Sequence, residues 1–194
     1  MRETHHLSDG HKRMLLEESG IALDIVEARG YETVTTKAEL GRLGFTKAQQ
    51  SCPALKIPVY GPDGEIAFAQ IRPDEPRYKD GKKIKYEMPR GVRMTFDVHP
   101  FARDKLGDPS TPLFVTEGIK KGDTLVTHGL CAISLLGVWN WRGRNERGGK
   151  TVLESWDYVA LNDREVFLIF DSDITLKPEV HAAMLRLKNF LEGR

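Results

Sequence analysis

Strands and helices alternate along the second half of the chain, and this alternation limits the fold more than any other feature. Three apolar runs have the length and composition of strands: PLFVTEG, CAISLLGV and REVFLIFDSD. The segments that follow them are predicted to contain helices: IKKGDTLVTHG, TVLESWDYVALND and KPEVHAAMLRLKNFLEGR. WNWRGRNERGGK, after the second strand, is predicted to be a loop. Such alternation is typical of a mostly parallel sheet with helices on both faces.

Two of these predicted strands end in acidic residues. Glu117 ends the first, and Asp171 and Asp173 end the last. Residues i and i+2 of an extended chain point the same way, so Asp171 and Asp173 are predicted to face one ligand. Burying unpaired carboxylates is costly. A hard divalent cation offsets their charge and prefers oxygen ligands, so we expect Mg²⁺ (or Mn²⁺) at this edge of the sheet.

The first half of the chain follows a different pattern. Two helices and a weaker third are predicted in LSDGHKRMLLEESGI, ALDIVEARG and TTKAELGRLGFTKAQQ, with Ser8 as the first N-cap. The turn GPDG joins the predicted strands KIPVY and EIAFAQIR into a hairpin, and RMTF is a further strand. We therefore predict an α+β N-terminal lobe, made of a helical preface over 1–50 and a basic antiparallel lobe over 51–110, followed by an α/β domain over 111–194.

Basic residues with interleaved aromatics are concentrated in RPDEPRYKDGKKIKYEMPRGVR. Basic side chains follow a phosphate backbone and aromatic rings stack on unpaired bases, whereas most such runs are only solvated hairpins. The candidates for binding nucleic acid or a nucleotide in this segment are Arg72, Lys82, Lys83, Lys85, Tyr86 and Arg90. Trp141 and Arg142, in the predicted loop, are candidates for stacking on a base or on the other lobe.

Composition excludes several kinds of protein. The chain has 29 basic and 28 acidic residues, so its net charge of +1 indicates no partner by itself. Its two cysteines, Cys52 and Cys131, form no CxxC pair, so no zinc is expected. The apolar runs are too short to span a bilayer, and we expect a cytoplasmic protein without a membrane partner. The motifs GxSxG, HExxH, GxGxxG and Walker A are absent from the sequence.

The motifs together resemble a known domain. TEG after one strand and LIFDSD after a later strand resemble the toprim domain of bacterial-type DNA primases, topoisomerases and certain nucleases. GEIAFAQIR followed by IKYEMPRG, and the preface LLEESGIALDIVEARGY, resemble the primases among them. The sequences of the segments VTEGIKKGD, GLCAISLLGVWNW and FDSD are most similar to those of toprim-like primase domains of phages, plasmids and integrated elements.

This resemblance implies a metal-dependent nucleotidyltransferase that makes short primers on single-stranded DNA from NTPs, with a replicative helicase as a further partner. Glu117 would be the catalytic acid and, with Asp171 and Asp173, a metal ligand. Arg72 and Lys85 would match the basic residues that hold nucleotide phosphates or template. Whether Glu117 assists proton transfer or only holds metal stays open.

Two features depart from the primase pattern. Lys121 stands where primases usually carry an acid, and Lys120 and Lys121 are either a phosphate-binding pair or solvated. The chain ends after the helix that follows FDSD, where toprim domains usually add a strand, so we expect a fragment or a minimal sheet. The alternatives are a toprim nuclease, or a catalytically degenerate nucleic-acid-binding module.

Overall fold

The computed structural model describes residues 6–144, 147–171 and 177–194, which form two compact units. The first unit comprises the chain up to Val59 together with Ile66–Arg93, and the second comprises Tyr60–Glu65 and the chain from Met94 onward. Within the described ranges, no helix has the length and apolar character needed to cross a membrane.

The first unit combines short helices with a small sheet. Its helices are α1 (Asp9–Arg13), which continues as a π-helix over Met14–Glu18, α2 (Leu23–Arg29) and α3 (Lys37–Arg42). Its strands are β1 (Glu32–Val34), β2 (Ala54–Tyr60) and β3 (Ile66–Pro73), in the order β1-β2-β3, with a separate ribbon of β4 (Tyr78–Lys79) and β5 (Lys82–Lys83). The Ser8 hydroxyl accepts a hydrogen bond from the backbone of His11 at the start of α1, as an N-cap does.

The second unit is built on a four-stranded, mostly parallel sheet. Its strands are β6 (Asp97–Val98), β7 (Leu113–Glu117), β8 (Cys131–Leu135) and β11 (Val166–Ile169), and its α-helices are α4 (Ile119–Thr127) and α5 (Pro178–Glu192). The order is β11-β7-β8-β6, with β7 parallel to both β11 and β8 and with β6 antiparallel to β8. These two units confirm the predicted fold class, a mixed α+β lobe followed by an α/β domain.

Three predicted elements differ from the structure. The segment predicted to be a loop contains an antiparallel ribbon of β9 (Arg142–Arg144) and β10 (Lys150–Val152). The helix predicted over 151–163 is a 3₁₀ helix limited to Glu154–Tyr158, because the backbone is already extended at Val159. The strand predicted at RMTF lies further along the chain, as β6.

Strand β11 stands at one end of the sheet order and carries apolar side chains that stay partly exposed. Phe167 is 41% exposed and Ile169 is 39% exposed. The ring of Phe167 stacks on that of Phe114 in β7, with 4.9 Å between ring centroids. The pairing of β11 with β7 is therefore supported by side-chain contact as well as by backbone hydrogen bonds.

A buried arginine fixes the position from which β11 starts. Arg164 is 7% exposed, and its guanidinium donates hydrogen bonds to four backbone carbonyls, those of Lys105, Leu106, Thr111 and Ala160, at 2.7–3.1 Å. Its charge is thus compensated by peptide dipoles. Since Thr111 lies just before β7 and Arg164 just before β11, the bond between them sets the two strands side by side.

Helix α4 lies very close to the sheet at Gly122. A Cβ atom placed on Gly122 would lie 2.0 Å from the Ser134 hydroxyl oxygen and 3.4 Å from the Ser134 Cβ. Only a residue without a side chain allows this approach, so the glycine fixes the height of α4 above β8.

We expect Gly122→Ala to lower the free energy of unfolding by about 1–3 kcal/mol, the usual cost of overpacking. Adding Ser134→Ala removes the clashing oxygen and leaves a normal Cβ contact, so the double variant should recover most of that loss. Urea unfolding of the single and double variants measures both effects.

Gly10→Ala is the matched control, since no atom lies within 4 Å of a Cβ built at that helical glycine. Additive losses in the double variant would show that the Ser134 oxygen is not what Gly122 accommodates.

Candidate functional site

The parallel pairing of β7 and β11 brings two of the predicted acids to one edge of the sheet. Thr116 of β7 pairs with Ile169 of β11. Glu117 is one residue beyond Thr116 and Asp171 is two residues beyond Ile169, so both acids follow the same pair of strand residues. Both strands run in the same direction, and their carboxyl ends meet at the edge where parallel sheets bind ligands. The carboxyl groups of Glu117 and Asp171 are close enough for each to shift the pKa of the other.

One lysine, Lys121, forms ion pairs with both acids. The Lys121 ammonium donates a hydrogen bond to an Asp171 carboxylate oxygen, and its Nζ lies 3.7 Å from the Glu117 Oε1. Lys121 reaches this position from the first turn of α4, which starts directly after Gly118, a residue with φ 86°. The sequence leaves two roles open for Lys121, phosphate binding and simple exposure to solvent. The structure adds a third, an ion pair with two acids of the same chain.

The two carboxyl groups differ in their affinity for a proton. Burial raises the pKa of Glu117, and the adjacent Asp171 raises it further, against the opposing effect of Lys121. The pKa of Asp171 is lowered, chiefly by the hydrogen bond from Lys121. Glu117 therefore takes up a proton before Asp171 does as the pH falls.

The residues present are compatible with a hard divalent cation. Glu117 and Asp171 supply carboxylate oxygens at one edge of the sheet, within reach of the same lysine, and such oxygens are the ligands that Mg²⁺ prefers. Asp173, the third predicted ligand, lies outside the described residues. Within 6–144, 147–171 and 177–194, no group of three or more His, Cys, Asp or Glu side chains is placed to hold a metal. The metal assignment stays a prediction.

The basic segment of the first unit forms a ribbon that projects exposed side chains. All four residues of β4 and β5 are exposed, and Tyr78 is 68% exposed. Lys82 and Lys83 form β5, and Lys85 and Arg90 are exposed beyond it. Positive charge and an accessible ring thus lie together on one ribbon, which we call the β4–β5 ribbon.

A buried carboxylate holds the base of the β4–β5 ribbon. Glu87 is 4% exposed and accepts hydrogen bonds from the Arg77 guanidinium at 2.5 and 2.9 Å. The Gln49 amide donates to the same carboxylate at 2.9 Å. The ribbon therefore extends from a rigid anchor.

Arg72 and Tyr86 make contacts inside the first unit. The Arg72 guanidinium lies 3.0 Å from the Met14 sulfur and interacts with the Tyr86 hydroxyl. Burial raises the pKa of Tyr86, against the opposing effect of Arg72. Tyr86 is 37% exposed, so the freely accessible ring of this segment belongs to Tyr78, which the sequence analysis did not select.

A second basic surface lies around Trp139 in the second unit. The Arg142 guanidinium lies 4.3 Å from the centroid of the Trp139 ring and that of Arg186 lies 5.6 Å from it. Trp141 is 7% exposed and its ring stacks on Phe190 at 5.5 Å. The accessible ring beside Arg142 is thus that of Trp139, which is half-buried.

Lys120 lies half-buried in the first turn of α4.

One protein family and one further protein match parts of this sequence. Residues 103–194 match a family described as a domain of unknown function, DUF3854. An uncharacterised protein of Picosynechococcus sp. is 35% identical over 75 residues, which cover 35% of this chain and 8% of that protein.

Solved structures with a similar fold are primase catalytic cores. The zinc-binding and RNA polymerase domains of the Aquifex aeolicus primase superpose with a TM-score of 0.55 at 14% identity, over 84% of this chain and 43% of that one. The RNA polymerase domain of Mycobacterium tuberculosis primase DnaG gives a TM-score of 0.55 at 14% identity, over 87% and 62%. A DnaG catalytic core gives 0.51 at 13% identity, over 84% and 65%. The chain therefore has the fold of primase catalytic cores and spans about half the length of the first two.

Removing the Glu117 charge is expected to stabilise the protein. A raised pKa means that the folded state binds more protons than the unfolded state, so the stability of the wild type falls as pH rises from the ordinary glutamate range through the raised value. In EDTA at about pH 8, Glu117→Gln should therefore raise the free energy of unfolding by about 0.5–2 kcal/mol, as relief of a strained site often does.

At about pH 3.5 the carboxyl group is protonated in both states, and the gain should disappear. Urea unfolding at both pH values measures the difference. Glu192→Gln is the control, since Glu192 is 59% exposed and pairs with Lys188 on α5. An equal gain at both pH values would mean that burial of the charge is not the cause.

Proposed function

We propose that this chain is the nucleotidyltransferase core of a toprim-type DNA primase, which joins NTPs on a single-stranded DNA template during replication of a phage or mobile element. The meeting of Glu117 and Asp171 at the carboxyl ends of β7 and β11, where one lysine pairs with both acids, carries the proposal. The fold of primase catalytic cores and the motifs TEG and FDSD support it.

The raised pKa of Glu117 suits proton transfer. In the proposed reaction the 3′-hydroxyl oxygen of the primer forms a bond to the α-phosphorus of an NTP, and the bond from that phosphorus to the bridging oxygen breaks, so that pyrophosphate leaves. A carboxylate with a raised pKa is a better acceptor for the hydroxyl proton, and we assign this role to Glu117.

Mg²⁺ or Mn²⁺ would be held by Glu117, Asp171 and Asp173, and when bound it would supply a Lewis acid that neutralises charge on the phosphates. The Glu117 side chain is 22% exposed, so its carboxyl group is partly withdrawn from water. Lys120 and Lys121 would face the anionic triphosphate from the start of α4, where backbone N–H groups also favour anions.

We assign the single-stranded template to the β4–β5 ribbon. Lys82, Lys83, Lys85 and Arg90 are exposed and would neutralise backbone phosphates, and the exposed ring of Tyr78 would stack on an unpaired base. Arg142 beside Trp139 is the corresponding candidate in the second unit.

Removal of the Tyr78 ring should weaken template binding. A base stacked on an aromatic ring contributes about 1–3 kcal/mol, so Tyr78→Ala should bind a labelled single-stranded oligonucleotide about 5- to 150-fold more weakly, and Tyr78→Phe should bind like the wild type. Fluorescence anisotropy measures both affinities. If Tyr78→Ala binds as well as Tyr78→Phe, the ribbon does not stack on the template.

Salt dependence tests the phosphate contacts of the same ribbon. Replacing Lys82 and Lys83 by glutamine should reduce the slope of log K against log salt by about 1.4, since each lost contact to a single strand contributes about 0.7. Lys188→Gln is the control, because Lys188 pairs with Glu192 on α5. An unchanged slope in the double variant would remove both lysines from the interface.

Primer synthesis is the direct test of the proposed reaction. The chain is incubated with labelled NTPs, a single-stranded template and Mg²⁺ or Mn²⁺, and the products are separated by length. We expect short oligomers from the wild type, and a loss of about a hundredfold or more in Glu117→Gln and in Asp171→Asn with Asp173→Asn, with template binding retained. Synthesis by the aspartate double variant would contradict the metal assignment.

The ion pair of Lys121 with both acids favours a second candidate, a binding module without turnover. The same incubation distinguishes the candidates. Shortened template indicates a nuclease, and retention of the template without new product indicates a binding module.

A further inference from the structure

One side chain already neutralises part of the charge at the candidate site. The Lys121 ammonium donates to Asp171, which follows β11, and lies 3.7 Å from Glu117 at the end of β7. The Lys121 side chain is 43% exposed and that of Asp171 is 57% exposed, so this ion pair is open to solvent, whereas the Glu117 side chain is 22% exposed. A cation that binds oxygens of both acids therefore lies next to the Lys121 ammonium.

The helix itself does not favour a lysine at this position. Lys121 is in the first turn of α4, where the helix dipole places partial positive charge and where acidic side chains are preferred. The four-residue spacing to Glu117 and the contact with Asp171 are the favourable interactions that the lysine gains there. The contacts with the two acids therefore favour a lysine at this position, and the helix dipole does not.

We propose that Lys121 is the resident counter-ion of Glu117 and Asp171, and that a divalent cation binds this pair only by displacing the Lys121 ammonium. This inference rests on the proposed function insofar as the same two acids are the metal ligands. When both acids are ionised, as metal ligands must be, the two carboxylates and one ammonium leave a single net negative charge, half of what the acids alone would present to a cation. The ammonium also repels any cation placed at the same oxygens.

A nucleoside triphosphate would assist this exchange. Its phosphates offer the freed Lys121 an anionic partner, and their oxygens complete the ligand set of the metal. Metal and triphosphate should therefore bind this chain cooperatively, each more tightly when the other is present.

Calorimetric titration with Mg²⁺ and with Mn²⁺ tests the exchange on wild type and on Lys121→Gln. We expect Lys121→Gln to bind both metals at least about tenfold more tightly than the wild type, because one opposing charge has been removed. Lys188→Gln, which removes a lysine from another i,i+4 pair of the same unit, should match the wild type. Adding Asp171→Asn to Lys121→Gln should abolish the gain, which assigns it to this pair.

Thermal unfolding gives a second readout that does not depend on activity. In EDTA, Lys121→Gln should melt at a lower temperature than the wild type, since the acids lose their counter-ion, and millimolar Mg²⁺ should restore much of the loss. The wild type should respond to Mg²⁺ far less.

Equal metal affinity in wild type and Lys121→Gln, or binding by neither, would overturn the inference. Failure of the proposed function gives a different result. If Lys121→Gln gains metal affinity while neither protein makes primers, the counter-ion role of Lys121 is supported and the nucleotidyltransferase assignment is wrong.

Discussion

The approach of two acidic side chains, Glu117 and Asp171, is the constraint on which the candidate site of the second unit depends. They meet because β7 and β11 run in parallel, and the bond from Arg164 to the Thr111 carbonyl fixes the two strands side by side. Two neighbouring carboxylates require compensation by a proton or by a cation. Lys121 supplies a positive charge at a helix position that otherwise disfavours it. The pairing of the strands, the start of α4 and the charges of the site therefore depend on one another.

Several costs to stability coincide at this edge of the sheet. Glu117 is partly buried with a raised pKa, and α4 approaches so closely that only a glycine fits at position 122. Local choices that oppose stability are typical of functional sites, where the rest of the fold compensates for them. In the first unit the opposite arrangement holds. The buried anchor around Glu87 supports a ribbon whose own side chains are solvent-exposed and free to take a ligand.

The sequence was sufficient to predict the three parallel strands of the sheet and the edge where Glu117 and Asp171 meet, since apolar runs that end in acids are short-range signals. The β9–β10 ribbon was missed because RGR and KTV lack the alternation of a half-buried strand. The contact of Lys121 with Asp171 spans 50 residues, and no local pattern reports it. Tyr78 was not selected over Tyr86 because accessibility depends on packing, and only the structure distinguishes a 68% exposed ring from a 37% exposed one.

The position of β11 at the end of the sheet order affects how the isolated chain should behave at high concentration. Phe167 and Ile169 lie on this strand, partly exposed, just before Asp171. An outer strand with apolar side chains is a template for pairing with another chain, and natural proteins often discourage such pairing with nearby charge. Asp171, the charged residue that follows β11, is positioned to act as a gatekeeper of this kind, and replacing it by asparagine should make the protein more prone to aggregate.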